Sequence, residues 1–244
     1  MSAALRIAAG ALTLWLVAIE PAFAQVVSLN LGNEATSTGR LLQLLALVTV
    51  LSLAPSILVM VTSFTRIVIV LSFLRSAIGL QQTPPNAVLV SLALFLTAFI
   101  MAPVAEQAYR DGIKPLMAEQ ITEAEAFKRT AAPVHKFMLS HTRNRDLELF
   151  VNITGQDLES PETVPLSTLI PAFLISELRR AFEIGFLLFV PFIIIDMVIA
   201  SILMSMGMMM LPPVMISLPF KLIFFVLVDG WYMVAGSLVQ SYAT

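Results

Sequence analysis

Cysteine is absent from the 244 residues, which excludes disulfides, thiolate metal sites and Cys nucleophiles. Charge is scarce. Asp, Glu, Lys and Arg together make up 12% of the chain, against about 25% in an ordinary soluble domain. Histidine occurs only at His135 and His141, and their spacing does not stack them on one helical face, so they make a poor metal site. There is no HExxH pair, no glycine-rich phosphate loop and no nucleophile–base constellation, so the chain does not read as an enzyme. The net charge of −2 offers no electrostatic footprint for nucleic acid. No cofactor or metal is expected.

What is present is apolar side chain. Hydrophobic residues make up 58% of the sequence and the mean hydropathy is +0.91, which points to a membrane protein of all-α class. Residues 1–24 have the form of a signal peptide, with Arg6 in a short basic region, the apolar run "IAAGALTLWLVAI" and the small-x-small "AFA" at 22–24. Residues 25–40 read as a polar linker. Residues 41–105 read as a first apolar helical hairpin, turned by "QQTPPN" at 81–86. Its first arm, Leu41 to Leu74, contains Pro55 and Arg66 and would overshoot the ~30 Å hydrocarbon layer as one helix. Residues 106–170 are polar and read as a small helical domain, periplasmic if it follows a signal peptide and two spans. Thr122 and Glu125 there have capping-box spacing, and Pro133 is placed to start a second amphipathic helix. Residues 171–244 read as a second apolar hairpin around a methionine-rich loop.

Charges inside apolar runs carry the most information, because each costs at least ~2.5–3.5 kcal/mol at a bilayer centre. Asp196 sits in "FVPFIIIDMVIASILM" and Lys221 in "SLPFKLIFFVLV". Pairing them would remove both penalties; snorkelling of Lys221 from a helix end and a proton relay are the other readings. Glu177, Arg179, Arg180 and Glu183 open the same helix as Asp196, with Arg179 and Glu183 spaced for a local pair. Arg66 lies mid-run in the first hairpin. So many charges argue that neighbouring subunits cover these helices.

Met204, Met206, Met208, Met209 and Met210 surround Gly207 and precede Pro212 and Pro213. Unbranched, polarizable methionines either fill an irregular core or form a deformable seal. Gly207 allows bending, and the prolines are expected to stop the helix and shape the loop.

Four long strings, "MVTSFTRIVIVLSFLRSAIG" with "QTPPNAVLVSLALFLTAFIMAPV" (60–104), "PAFLISELRRAFEIGF" (171–186) and "MGMMMLPPVMISLPFKLIFFVLVDGW" (206–231), resemble the signatures of the FliP family, the flagellar protein-export gate subunits. The likeness runs from about Leu41 to Tyr242. It implies a homo-oligomer, pentameric in the family, that joins FliQ and FliR in a closed ring-like helical gate at the flagellar basal body, with FlhB and FlhA alongside. Unfolded flagellar proteins pass through its centre. The resemblance also implies that the methionine loop is a gasket around the pore, and that the gate is held largely above the bilayer plane. A virulence-injectisome subunit of the SctR type is the alternative in the same class. A small-ion or proton-coupled channel through Asp196 and Lys221 is the alternative from another.

Overall fold

A computed structural model describes residues 37–80, 82–155, 163–208 and 211–243. The expected signal peptide and most of the expected linker lie outside the described residues, as do Met209 and Met210. Every regular element among the described residues is helical: α1 (Ser37–Met60), α2 (Phe64–Ile78), α3 (Asn86–Ala108), a π-helical turn (Tyr109–Ile113), α4 (Lys114–Met117), α5 (Glu123–His141), α6 (Asn144–Thr154), α7 (Leu166–Ser205), α8 (Pro213–Leu227) and α9 (Gly230–Gln240). The all-α expectation holds.

The chain divides into two units at Leu53 and Ala54. In the first, α1 already covers residues 37–40, which read as linker. Among its described side chains, Leu41, Leu45 and Leu51 are 68%, 61% and 70% exposed. A helix apolar all round belongs in lipid or inside a larger assembly.

In the second unit α2 is the hub. Ile67, Val70, Leu71, Leu74, Ala77 and Ile78 form an i, i+3, i+4 stripe, each at most 3% exposed. They pack against Leu89 and Ala93 of α3, Ala181 and Phe192 of α7, Phe225 of α8, and Val234 and Leu238 of α9. Gly185 marks the closest approach of α7 to α2: a Cβ there would lie 2.4 Å from the Phe73 ring. A second core joins Phe137 and Met138 of α5 to Leu169 and Phe173 of α7, with Val104 of α3 and Leu147 of α6 against it. Burying a side chain such as Phe173, 0% exposed, contributes about 2–3 kcal/mol.

Several expected boundaries move. The arm from Leu41 to Leu74, readable either as one helix extending beyond the membrane or as a kinked one partly buried in protein, is two helices. The break comes at Val61–Ser63, where hydroxyls compete for the backbone: the Phe64 N–H donates to Thr62 Oγ1 at 3.4 Å and Thr65 Oγ1 to the Val59 carbonyl at 3.2 Å. The expected division at 105/106 falls inside an unbroken run, since α3 passes through the π-helical turn into α4 without a loop. Within the polar region, α5 and α6 pack on α7. Pro133 does not begin a helix but lies within α5. The capping box is half made. Thr122 Oγ1 accepts from the Glu125 N–H at 3.4 Å, but the Glu125 carboxylate turns forward to Arg129 at 2.8 Å. Helix α7 starts at Leu166 rather than Pro171, and after Asp229 the chain continues as the helix α9, set at 61° to α8.

Two runs, Asn86–Met117 and Leu166–Ser205, are long and apolar enough to cross a membrane, and the bent pair α8–α9 makes a third candidate. The 40 residues of α7 extend about 60 Å, twice the hydrocarbon thickness. Part of α7 must therefore lie beyond a single bilayer core.

Candidate functional site

A buried ion pair, a part-buried one and the segment after α7 hold Arg66, Glu177, Asp196, Lys221 and the described methionines singled out in the sequence. The first pair joins α2 to α7. Arg66 Nε donates to Glu177 Oε2 at 2.8 Å and Nη2 donates to Oε1, closing a bidentate fork; the two side chains are 3% and 0% exposed. The end of the chain completes it. Arg66 Nη1 donates to Ser241 Oγ at 3.0 Å, Tyr242 Oη donates to Glu177 Oε2, and the guanidinium lies 3.9 Å from the centre of the Tyr242 ring. Burial, helped by the Glu177 charge, pushes the Tyr242 phenol well above its ordinary range, so it remains a donor. Neither the Arg66–Glu177 pairing nor the part of Tyr242 is visible in the sequence. The partners are 111 residues apart, and Tyr242 looks there like an ordinary amphipathic tail residue.

The second pair stitches α7 to α8. Lys221 Nζ donates to Asp196 Oδ2 at 2.6 Å, and Ser217, one turn before Lys221, donates to Asp196 Oδ1 at 2.5 Å. Lys221 Nζ also reaches the Ala77 carbonyl at the end of α2, at 3.4 Å. The lysine side chain is 5% exposed and the aspartate 31%. Lys221 is thus held inward by the carboxylate rather than snorkelling. Ser217 is the member that sequence reasoning missed, although its i,i+4 spacing to Lys221 put it on the same face.

Arg179 and Glu183 meet, at 2.8 Å, and in the single chain they are 54% and 50% exposed. An exposed i,i+4 pair contributes only a few tenths of a kcal/mol. Next to Glu177, Ser176 points the other way and donates to Asp146 Oδ2 at 2.6 Å. Arg143 grips the same carboxylate through Nη2 at 2.7 Å and Nε at 2.9 Å. Burial alone would raise the Asp146 carboxyl; the Ser176 hydrogen bond and the Arg143 guanidinium outweigh it and hold the group below the usual carboxylate range. His135 and His141 each contact a backbone carbonyl, those of Val164 and Phe137, at 2.7 and 2.8 Å.

The loop begins with a Schellman turn. The Met208 N–H donates to the Leu203 carbonyl at 3.0 Å and the Gly207 N–H to that of Met204 at 3.1 Å, with Gly207 left-handed at φ +74°. Gly207 therefore ends α7. The prolines do not stop it, as expected from the sequence, but open the next helix: Pro212 caps α8 and Pro213 is its first residue, where no N–H is needed. Met204 and Met206 are 58% and 64% exposed, and Met208 is half-buried.

The profile of the FliP family matches residues 47–238, which include both ion pairs and the whole loop. The chain belongs to the FliP family. It is 61% identical over 230 residues to the flagellar biosynthetic protein FliP of Caulobacter vibrioides, covering 92% of this chain and 86% of that one. It is 52% identical over 219 residues to the Bacillus subtilis protein of that name, covering 89% and 99%. With that of Aquifex aeolicus it shares 48% over 239 residues, covering 95% and 98%. This FliP family member is a flagellar export component, and its long apolar helices suit a membrane-associated one.

Proposed function

We propose that the chain is the core subunit of the flagellar export gate in the bacterial inner membrane. Several copies, five on the family pattern, surround a pore for unfolded flagellar proteins together with FliQ and FliR; FlhB and FlhA attach at the basal body. The stretch 106–170 faces the periplasm. Met204, Met206, Met208, Met209 and Met210 form the deformable seal of the pore.

One observation supports this reading: Met204 and Met206, at the end of a fastened hairpin arm, are exposed among the described residues. Met204 and Met206 are more than half exposed, whereas a core-filling role needs them packed. Just behind them, Asp196, Ser217 and Lys221 fix α7 to α8 and α8 to the end of α2. The hairpin thus has a stiff base and flexible thioether tips. Such tips close a hole between copies and yield to differing substrates, which rigid branched side chains would do poorly.

The experiment is the replacement of Met208, Met209 and Met210 by Ala together. A seal predicts a complex that assembles by native gel yet leaks ions and small solutes across the membrane. Failure of assembly would favour a packing role, since truncating buried methionines costs about 2–5 kcal/mol each. An assembled complex as tight as the wild type would reject the seal.

A further inference from the structure

One stretch of chain grips α2 at both ends. Lys221 of α8 donates to the Ala77 carbonyl, at the C-terminal end of α2, at 3.4 Å. Ser241 and Tyr242, which follow α9, meet Arg66 near its N-terminal end. Arg66 Nη1 donates to Ser241 Oγ at 3.0 Å and to the Ser241 carbonyl at 3.4 Å, and the Tyr242 ring faces the guanidinium. Along α2, Arg66 and Ala77 are about 17 Å apart. The 11 residues of α9 extend about 16 Å, enough to bridge the two grips. Between them, Val234 and Leu238 join the core built on the α2 stripe.

The bend between α8 and α9 is not held locally. Asp229 lies in the left-handed region at φ +51°, which residues with a side chain seldom adopt, and its side chain makes no capping hydrogen bond to α9. Gly230 has no room for a side chain, since a Cβ there would lie 2.1 Å from the Phe225 ring. Such a backbone persists where surrounding contacts fix both arms. On the α8 side, Lys221 is fixed by Asp196 and the Ala77 carbonyl. On the α9 side, Ser241 and Tyr242 supply the polar contacts. The Tyr242 hydroxyl donates to Glu177; its ring stacks on that of Phe137 at 5.9 Å and lies 5.0 Å from that of His141. Arg66, Ala77, Glu177 and Lys221 are each at most 4% exposed. These grips are therefore made inside the chain, whichever faces its neighbours cover.

We propose that α8 and α9 form a strap along α2, that Tyr242 is its latch, and that the latch positions the hairpin carrying the methionines. Tyr242 is a positioning residue, acting through α9, the bend at Asp229 and α8. A tyrosine that only filled the second core would steady α5 and leave α8 alone. The consequence for the pore rests on the seal proposed above; the strap itself does not.

The test is amide hydrogen exchange of the assembled complex in detergent, read peptide by peptide. Tyr242→Ala is expected to speed exchange about tenfold in α8 and α9 and to leave α6 unchanged. Tyr242→Phe keeps the ring and loses one donor, so a smaller rise in the same two helices is expected. Asp146→Asn weakens the contact of α6 with α7 and should leave α8 and α9 as in the wild type. Unchanged exchange of α8 in Tyr242→Ala, an equal rise in every helix, or the same rise of α8 in Asp146→Asn would overturn the proposal. If Tyr242→Ala fails to assemble, Tyr242→Phe combined with Ser241→Ala decides by the same pattern. Ion leakage is measured alongside: faster exchange of α8 in a complex that stays tight would support the strap and count against the seal.

Discussion

The buried ion pair and the part-buried one differ in reach and in closure. Arg66–Glu177 joins partners 111 residues apart and is sealed, both side chains at most 3% exposed, with Tyr242 and Ser241 completing its hydrogen bonds. Asp196–Lys221 joins partners 25 residues apart across one hairpin, and its carboxylate remains 31% exposed. The first has little room for another partner and serves the fold of the second unit. The second fastens α7 to α8 behind exposed Met204 and Met206, and its carboxylate keeps an exposed edge. A buried charge is therefore not by itself a sign of function; its remaining exposure and what it fastens are what separate the two.

Breaking the sealed pair should cost most. Glu177→Gln strands a buried guanidinium and is expected to destabilise by about 3–5 kcal/mol, a large part of the stability of any domain. The protein level in membranes should collapse. The apolar double variant Arg66→Met with Glu177→Leu should recover much of it, because replacing both members of a buried pair is often near neutral. No recovery would mean that the charges themselves act.

The open pair should respond unequally to loss of either partner. Asp196→Ala leaves Lys221 buried with only the Ala77 carbonyl and should cost about 3 kcal/mol, whereas Lys221→Ala leaves a part-exposed Asp196 still bonded to Ser217 and should cost about 1 kcal/mol. Thermal unfolding in detergent measures both. Equal losses would indicate that Asp196 is as enclosed as Glu177. Tyr242→Phe removes one donor from the sealed pair and should cost about 1.5 kcal/mol.

An effect as small as that of Lys221→Ala lies outside both pairs. Asp146→Asn should cost about 1 kcal/mol at neutral pH. The Asp146 carboxyl is held below its ordinary range in the folded chain. Its contribution is therefore complete above the unfolded value of about 3.9 and is lost as pH falls through the lower folded value. The gap between wild type and variant should close on acidification; a gap constant with pH would remove the charge from the account.

What the sequence revealed depended on range. Asp196 and Lys221 stood out because each is a charge in an apolar run, and opposite signs suggested the contact. Glu177 and Arg66 stood out equally, but nothing local says which distant partner each takes, and Glu177 has Arg179 and Arg180 as nearer distractions. The stripe of α2 has helical period, yet its central place follows only from the packing of α3, α7, α8 and α9. Breaks were misread where hydroxyls, not prolines, decide them. The helix parts at Val61–Ser63 and continues through Pro133. The role of Gly207 was legible in kind, but only backbone geometry showed that the glycine ends α7 and that the prolines begin α8.

The central claim is that loops from several copies converge on one point. The chain contains no cysteine, so Met208→Cys introduces a single thiol. A disulfide needs Cα atoms within about 7 Å. Mild oxidation of membranes carrying the assembled complex is expected to link copies through residue 208 into covalent dimers on a non-reducing gel, while Ile153→Cys, exposed on α6, stays monomeric. A Met208→Cys complex that assembles normally but never crosslinks would contradict convergence of the loops.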